Sequence, residues 1–556
     1  MPTPRRNIAL VIAGGGSLGS YEAGVLTELL YALDYLNRTR QPDEPEFVVD
    51  VITGGSAGAL TAALVARIML HDYGERSRLY EAWVERIDIV ELMREAPNNA
   101  ILSKGVIRKL AQELILDGIR DRAGDKKAAS FSPQTLRMSL SLSNMNGIDY
   151  ALPMLSSAMA TGLPFVTTLF SDTAQFELTD RTAQNPDLWT SIIEAAIASS
   201  TFPIAFQPEA VPRSPADYPD SLLSQLPSQF FPPQGTRPMA FLDGGIFNNE
   251  PLQEAIKLSR EIDGGIPNPD RLFLLIDPAI NVSNFEPAID IEAPLENHIR
   301  RLIGMIYSQG QAIDWLRQAY RKNTEIAWRD ELVEGITYLV RTSDIDADPQ
   351  FVQGLQQLAQ RVIREKRRLA EEDDPKPALA ELLQTVKDRF PEEYASLGAT
   401  SRGAEKQLVF LNLVFILNTV ASLENKSVLQ FAVIGSTPAR TAGDQISGFG
   451  GFFNKEWRQH DYRQGRIEAH NRLAEILTAR YPKEQVDGRT SDDYRIEQDF
   501  SNVTLKDADR KLRLTIRRTI LDRLAKVVRN TLKVPLSGWV VTQLILRRRV
   551  DELLEL

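Results

Sequence analysis

The chain contains no cysteine, so disulfides, thiolate metal sites and a thiol nucleophile are excluded at the outset. Histidine is nearly missing as well: His71, His298, His460 and His470 are the four among 556 residues. Chemistry that depends on imidazole, as metal ligand or general base, therefore has few places to sit. No stretch reaches the roughly 20 consecutive apolar residues of a membrane span. The apolar run from Ile8 to Ala13 follows Arg5 and Arg6, but it is too short for a secretory-signal core and no cleavage-like site follows closely. The expectation is a soluble or peripheral protein with the cytoplasm as its default place. Positive charge is in deficit, with 64 Lys and Arg against 74 Asp and Glu and a net charge of -10, which argues against non-specific binding to nucleic acid. Glycine and proline, at 33 and 31 residues, are not in excess, and neither repeats nor low-complexity runs occur, so the chain should fold throughout.

What is present is ordinary globular composition, 43% hydrophobic and 25% charged, in a chain too long for one core. Asn7 to Ala13 is a short continuous apolar run, as expected of a strand buried on both faces, and a helix follows from about Tyr21 to Leu36. Phe47 to Thr53 is a second such run, followed by the helical segment Ala59 to Leu70. Strand, glycine turn, helix, twice within about 70 residues, is the rhythm of an α/β fold with a parallel sheet. Residues 80 to 120 read as helical, with Ser103 as an N-cap for Lys104 to Leu116. Further strands are expected at Arg137 to Leu142, Phe165 to Phe170, Met239 to Leu242, Arg271 to Ile276 and Val428 to Ile434, with a helix at Ser191 to Ser199. Glu209 to Pro238 carries seven prolines and reads as a long irregular loop. Ile289 to Leu423 is helical and charge-rich, with Glu365 to Pro377 a solvated connector, and a helix from about Asp461 to Arg480 and two C-terminal helices broken at Pro535 follow. This divides the chain into 1–280 as an α/β domain, 281–427 as a helical insertion, and 428–556 as a C-terminal region.

Three constellations carry chemistry. Gly54-Gly55-Ser56-Ala57-Gly58 is a G-x-S-x-G pattern between a buried strand and a helix, the context of a nucleophile elbow. There the serine hydroxyl stands clear of the sheet and faces a helix N-terminus, whose free N–H groups favour developing negative charge. Gly14-Gly15-Gly16-Ser17-Leu18-Gly19 also lies between a strand and a helix, and successive glycines let backbone N–H groups approach an anion, as an oxyanion hole requires. Gly14, Gly16 and Gly19 fit the dinucleotide fingerprint too, but that needs an acidic residue at the end of the second strand, where this chain has the Ser56 turn. Asp243-Gly244-Gly245 follows the apolar run Met239 to Leu242, which places a carboxylate at a strand end. Alone it reads as a plain turn; the set of three in this order alters that reading.

Together these motifs resemble the patatin-like phospholipase family, whose pattern is a glycine loop after strand one, G-x-S-x-G after strand two and D-G-G further on. Ala198-Ser199-Ser200-Thr201-Phe202-Pro203 and Asn248-Asn249 match other parts of that pattern, and the resemblance covers about residues 7 to 280. It implies a three-layer α/β fold with a mostly parallel central sheet, and a serine acyl hydrolase acting on carboxylic esters of lipids. Ser56 would be the nucleophile, Asp243 its direct base, and the N–H groups of Gly15, Gly16 and Ala57 the oxyanion hole, with neither cofactor nor metal. Gly14, Gly19, Gly54, Gly58, Gly244 and Gly245 are the motif glycines. Leu18 stands where the family usually has Arg or Lys, which bears on preference for an anionic headgroup. The stretch Gly443 to Arg466, with Phe449 to Phe453, Trp457, Asp461 and Gly465, is similar to a C-terminal region attached to some bacterial patatin-related proteins.

Other readings stay open at this level. A Ser-Asp-His triad of the α/β-hydrolase kind has His298, His460 and His470 in the expected chain order. A catalytically weak lipid-binding or scaffold protein would use the helical half as its interaction surface. Ile516, Ile520, Leu524, Val527, Val528 and Leu532 form an apolar stripe flanked by Arg513, Arg517, Arg518, Arg523, Lys526, Arg529 and Lys533, which suits either an anionic membrane surface or packing on the body. The Phe449 to Phe453 loop serves either an acyl pocket or ordinary core. The sequence does not give the oligomeric state.

Overall fold

A computed structural model describes residues 4–71, 73–75, 77–97, 99–117, 119, 128–152, 165–203, 205–218, 226, 230–232, 235–265, 268–279, 298, 301–302, 305, 313–344, 348–367, 373–421, 428–436, 441–443, 448–477, 496, 500, 503–532, 547–548, 550–551 and 554. The first compact unit takes residues 1–259, 270–313 and 430–556, and the second takes 260–269 and 314–429. Residues 430–556 thus fall in the same unit as the N-terminal α/β part, not in one of their own. Pro535, the expected break between C-terminal helices, lies outside the described residues.

The first unit is built on an eight-stranded sheet. Its strands are β1 (Arg5–Ile12), β2 (Glu46–Gly54), β3 (Thr135–Leu152), β4 (Phe165–Thr179), β5 (Glu209–Arg213), β6 (Arg237–Asp243), β7 (Leu272–Ile276) and β8 (Gln430–Ile434). They run in the order β5-β6-β3-β2-β1-β7-β8, with β4 paired to β3. Contacts of β1 with β2 and β7, of β2 with β3 and of β7 with β8 are parallel; β4 and β6 meet β3, and β5 meets β6, in antiparallel fashion. The mostly parallel α/β architecture follows from the sequence pattern. Ile8 to Ile12 are fully buried, as a strand covered on both faces must be, and their uninterrupted apolar run reflects it.

The first unit's longer helices are α1 (Gly19–Arg38), α2 (Ala57–Leu70), α3 (Pro186–Ser199) and α4 (Leu252–Ile262, extending a few residues past the unit boundary). The second unit is all helix in its described part: α5 (Ile313–Thr342, its first residue on the boundary), α6 (Pro349–Arg367), α7 (Lys376–Arg389), α8 (Pro391–Gly398) and α9 (Gly403–Val420). Val333, Leu355, Ala359, Phe390, Val409, Phe410 and Val414 form its core. The chain then returns to the first unit for β8, α10 (Lys455–Ile476) and α11 (Arg510–Leu532). α10 lies directly on α1, because Gly24 and Gly465 let the two backbones meet: a Cβ on either would stand 2.0 to 2.1 Å from a carbonyl of the other helix.

One expectation fails for a physical reason. Glu209 to Arg213 is a strand despite Pro212, because β5 is the sheet's edge and proline there removes no needed ladder bond; Pro212 in fact faces Pro238 of β6. Residues 80 to 120 are helical in short pieces, including Ile89–Met93 and Gly105–Ala111, which runs on as π-helix to Leu116; Asp88 caps a new start by accepting the N–H groups of Val90 and Glu91, and Pro97 interrupts the run. Ser103 does accept the Gly105 N–H, at 3.0 Å.

Candidate active site

Register brings the three motifs together. Ile12 pairs with Gly54, so the loop after β1 and the turn after β2 leave the sheet side by side. Gly54 also pairs with Leu140 of β3, and two residues on Leu142 pairs with Asp243. Ser56, two residues beyond Gly54, and Asp243 therefore meet along one edge of β3, where β6 ends just beyond the end of β2, while β4 takes the other edge. Asp243 arrives differently from a parallel-strand carboxylate. β6 runs antiparallel along the part of β3 that overhangs β2, and ends at the level of the rim.

The turn at Ser56 is tight. Its φ of 51° and ψ of -127° are a strained combination for a residue with a side chain, and the surroundings hold it there. The Ser56 N–H donates to Ser199 Oγ at 3.0 Å, and Ser200 Oγ donates to the Ser56 carbonyl at 2.9 Å. Glycine at 58 is obligatory, since a Cβ there would sit 2.3 Å from the Ala13 carbonyl oxygen. The Ser56 hydroxyl donates directly to Asp243 Oδ2 at 2.7 Å, across 187 positions of sequence.

Asp243 is 1% exposed and fixed at every polar atom. Its N–H donates to the Thr201 carbonyl at 2.9 Å, its carbonyl accepts the Ser143 hydroxyl at 2.7 Å, and Oδ1 accepts the Gly245 N–H at 2.8 Å. Burial pushes its carboxyl up to about 7, against the opposing pull of the Ser56 hydroxyl and the Gly245 N–H. A carboxylate with that value is a competent base near neutral pH, which a solvated aspartate is not.

The glycine loop closes the site on the other side. Gly14 is pinned by two bonds with Asn249, its N–H to the Asn249 carbonyl and its carbonyl to Asn249 Nδ2, each 3.2 Å. Gly14 also lies against Ser56, for a Cβ on it would be 2.5 Å from Ser56 Cβ. Among the described residues nothing accepts from the N–H groups of Gly15, Gly16 or Ala57, each at the start of a helical turn where such donors are orphaned. Gly19 and Gly244 are packing positions, against Trp83 and the Ser141 backbone. Leu18, 2% exposed, is core, so an apolar residue suits the position.

The histidines are engaged elsewhere. His460 Nδ1 is 3.2 Å from Asp461, and His470 Nδ1 is 2.9 Å from Glu28. With serine and aspartate already in direct contact, no imidazole stands between them. Among the described residues no cluster of three or more His, Asp or Glu is arranged to hold a metal.

The comparisons with known proteins bear on these same residues. The family model described as patatin-like phospholipase matches residues 10–256. Residues 10–256 are a patatin-like phospholipase domain. A second model, described only as a protein of unknown function (DUF3376), matches residues 435–532. An uncharacterized protein of Sinorhizobium fredii is 24% identical over 353 residues, covering 50% of this chain and 49% of its own length. An uncharacterized membrane protein of Mycobacterium tuberculosis is 24% identical over 257 residues, 44% of this chain and 23% of its own. The chain thus spans about half the length of the first relative and about a quarter of the second. The match supports a lipid acyl hydrolase family for this domain. Among the described residues no helix is long and apolar enough to cross a membrane.

Some of the site went unread in the sequence. Ser143, which holds the Asp243 carbonyl, sits in a strand with nothing to mark it. Glu22 is wholly buried, its Oε1 3.0 Å from where a Gly15 Cβ would stand, and burial together with Asp277 raises its carboxyl well above the usual range. The signal was a lone charge near the start of α1, where its neighbours from Gly19 to Thr27 are uncharged.

Proposed function

We propose that the patatin-like domain is a serine acyl hydrolase whose working groups are Ser56 and Asp243, cleaving carboxylic esters of lipids. The observation that carries this is the direct 2.7 Å bond from the Ser56 hydroxyl to a buried carboxylate, at a serine held in strained backbone geometry. In the reaction Asp243 Oδ2 takes the hydroxyl proton as Ser56 Oγ attacks the ester carbonyl carbon. Charge moves onto the carbonyl oxygen, which the N–H groups of Gly15, Gly16 and Ala57 stabilise. Collapse breaks the bond to the alkoxy oxygen, and Asp243 returns the proton to the departing alcohol. Water, deprotonated by Asp243, then attacks the acyl-serine, giving the free acid and restoring the hydroxyl.

The buried, neutral-range carboxylate supports this over the triad reading, since a base titrating near 7 needs no histidine. It also argues against a merely lipid-binding role: a raised carboxylate and a strained serine in contact are costly features with no evident use in binding. The test is a panel of acyl esters together with a serine-directed fluorophosphonate. Wild type should hydrolyse the esters and be labelled once per chain; Ser56→Ala should lose both, and Asp243→Asn should lose hydrolysis. Labelling that survives in Ser56→Ala would refute the assignment.

A further inference from the structure

The region matched as a protein of unknown function, residues 435–532, supplies the surroundings of the glycine loop. Ser17, wholly buried, donates its hydroxyl to the Gly443 carbonyl at 3.3 Å and accepts the Gly451 N–H at 3.0 Å. Gly443 is itself held, because Asp461 accepts its N–H at 2.8 Å and that of Ala442 at 2.6 Å. Arg458 fixes the turn from the other side, with Nη1 donating to the carbonyls of Gly451 at 3.0 Å and Phe452 at 3.3 Å. Backbone meets backbone at Gly448: a Cβ on Gly16 would lie 2.7 Å from the Gly448 oxygen, and a Cβ on Gly448 would lie 2.8 Å from the Gly15 oxygen. Both glycines have positive φ, 58° and 82°. The Phe449 ring packs edge-on against Phe202 at 5.2 Å, next to Thr201, whose carbonyl holds the Asp243 N–H.

We propose that Ala442–Gly443 and Gly448–Phe453, acting through Ser17, orient the Gly15 and Gly16 N–H groups toward the oxyanion, which makes this C-terminal region part of the acyl-transfer site. A run of glycines has no side chains to fix its peptide planes, so its donors point where neighbouring contacts hold them. Oxyanion donors act only at about 2.7 to 3.1 Å from the charged oxygen, and a misplacement of about 1 Å costs on the order of 100-fold in rate. Ser17 is then a positioning residue, joined to a segment more than four hundred residues away.

The inference rests on the Ser56 and Asp243 reading, and the experiment separates the two. Full-length wild type and Ser17→Ala are assayed with a p-nitrophenyl acyl ester, and kcat is expressed per Ser56 titrated by a fluorophosphonate, so unfolded protein does not count. Ser17→Ala is expected to lose about 10- to 100-fold in kcat per titrated site, with KM within about twofold and the acid limb of the pH profile unmoved. Retention of kcat per site would overturn the proposal while leaving the dyad reading intact; a wild type with no titratable Ser56 would overturn the dyad reading itself. Hydrogen exchange on wild type needs no variant. Phosphonylating Ser56 should raise protection in residues 14–19 and 448–453 together, and a gain confined to 14–19 would overturn the proposal even if Ser17→Ala failed to fold.

Discussion

Replacing Asp243 by Asn should stabilise the protein as it abolishes hydrolysis. The carboxyl is wholly buried and titrates at about 7 instead of 3.8, chiefly because burial disfavours the charged form. The sign follows from linkage. Below about pH 4 the group is protonated in folded and unfolded chains alike and costs nothing; between about 4 and 7 the unfolded chain has released its proton while the folded one holds it; above 7 the folded chain carries the full cost of a buried charge. A displacement of about three pH units at about 1.36 kcal/mol each comes to about 4 kcal/mol. Asparagine is the same shape and can satisfy both contacts, its oxygen accepting the Gly245 N–H and its amide donating to Ser56 Oγ. Asp243→Asn should therefore lead wild type by about 4 kcal/mol at pH 8 and by about 2 kcal/mol at pH 5, the lead shrinking toward zero near pH 4. Urea unfolding of the two proteins at those three pH values measures it. A lead that is flat with pH, or a variant less stable than wild type at pH 8, would refute the claim that this carboxylate is held against its desolvation cost.

The same group sets the pH dependence of activity: kcat/KM should rise with pH through an apparent pKa near 7, and an acid limb near 4 in the ester assay would contradict it. Ser199→Ala removes the acceptor of the Ser56 N–H and should lower kcat about 5- to 50-fold with KM little changed, as measured on the same ester. Glu22→Gln should raise the melting temperature at pH 9 more than at pH 5, because a carboxyl whose folded pKa is raised loses its stabilising balance as pH climbs; equal shifts at both pH values in a calorimetric scan would count against a neutral Glu22. Arg271→Ala leaves Asp50 buried beside Asn7 without its bidentate partner and should cost about 3 to 5 kcal/mol in urea unfolding.

Much of the fold was legible because buried parallel strands announce themselves. Asn7 to Ala13 and Phe47 to Thr53 each lead from an apolar run into glycines, and register then carries Ser56 to the rim. Asp243 was legible as a residue but not as a placement: nothing in Met239 to Leu242 says that its strand runs antiparallel along an overhang of β3, since strand direction is decided by connection and pairing and not by local composition. Pro212 misled because proline's meaning depends on whether its strand is central or at an edge. The C-terminal helix was half legible. Ile516 is buried, and Arg513, Arg517 and Arg523 bond to the Leu554 carbonyl, Asp551 and the Pro97 carbonyl, as packing on the body requires. The side chains of Leu524, Lys526, Val527, Val528, Arg529, Leu532 and Lys533, on which a membrane reading would turn, lie outside those described.

The contacts of the glycine loop explain why sequence could name its residues without explaining their arrangement. Among the described residues nothing accepts from the Gly15 and Gly16 N–H groups; within the loop the Leu18 and Gly19 N–H groups hold the Gly15 and Gly16 carbonyls, and the longer-range restraint comes from Asn249, from Ser17 and from a turn near residue 450. Each of these long-range restraints joins segments hundreds of positions apart, and each is a single hydrogen bond or a glycine contact of a kind that turns commonly contain. A raised carboxylate, a strained serine and three donors with no acceptor among the described residues are all costly, and they persist together because the surrounding sheet and α10 keep the chain from relaxing. If the catalytic reading holds, the most damaging substitutions outside Ser56 and Asp243 should cluster at these restraints and not in the larger apolar core, where volume can be repacked.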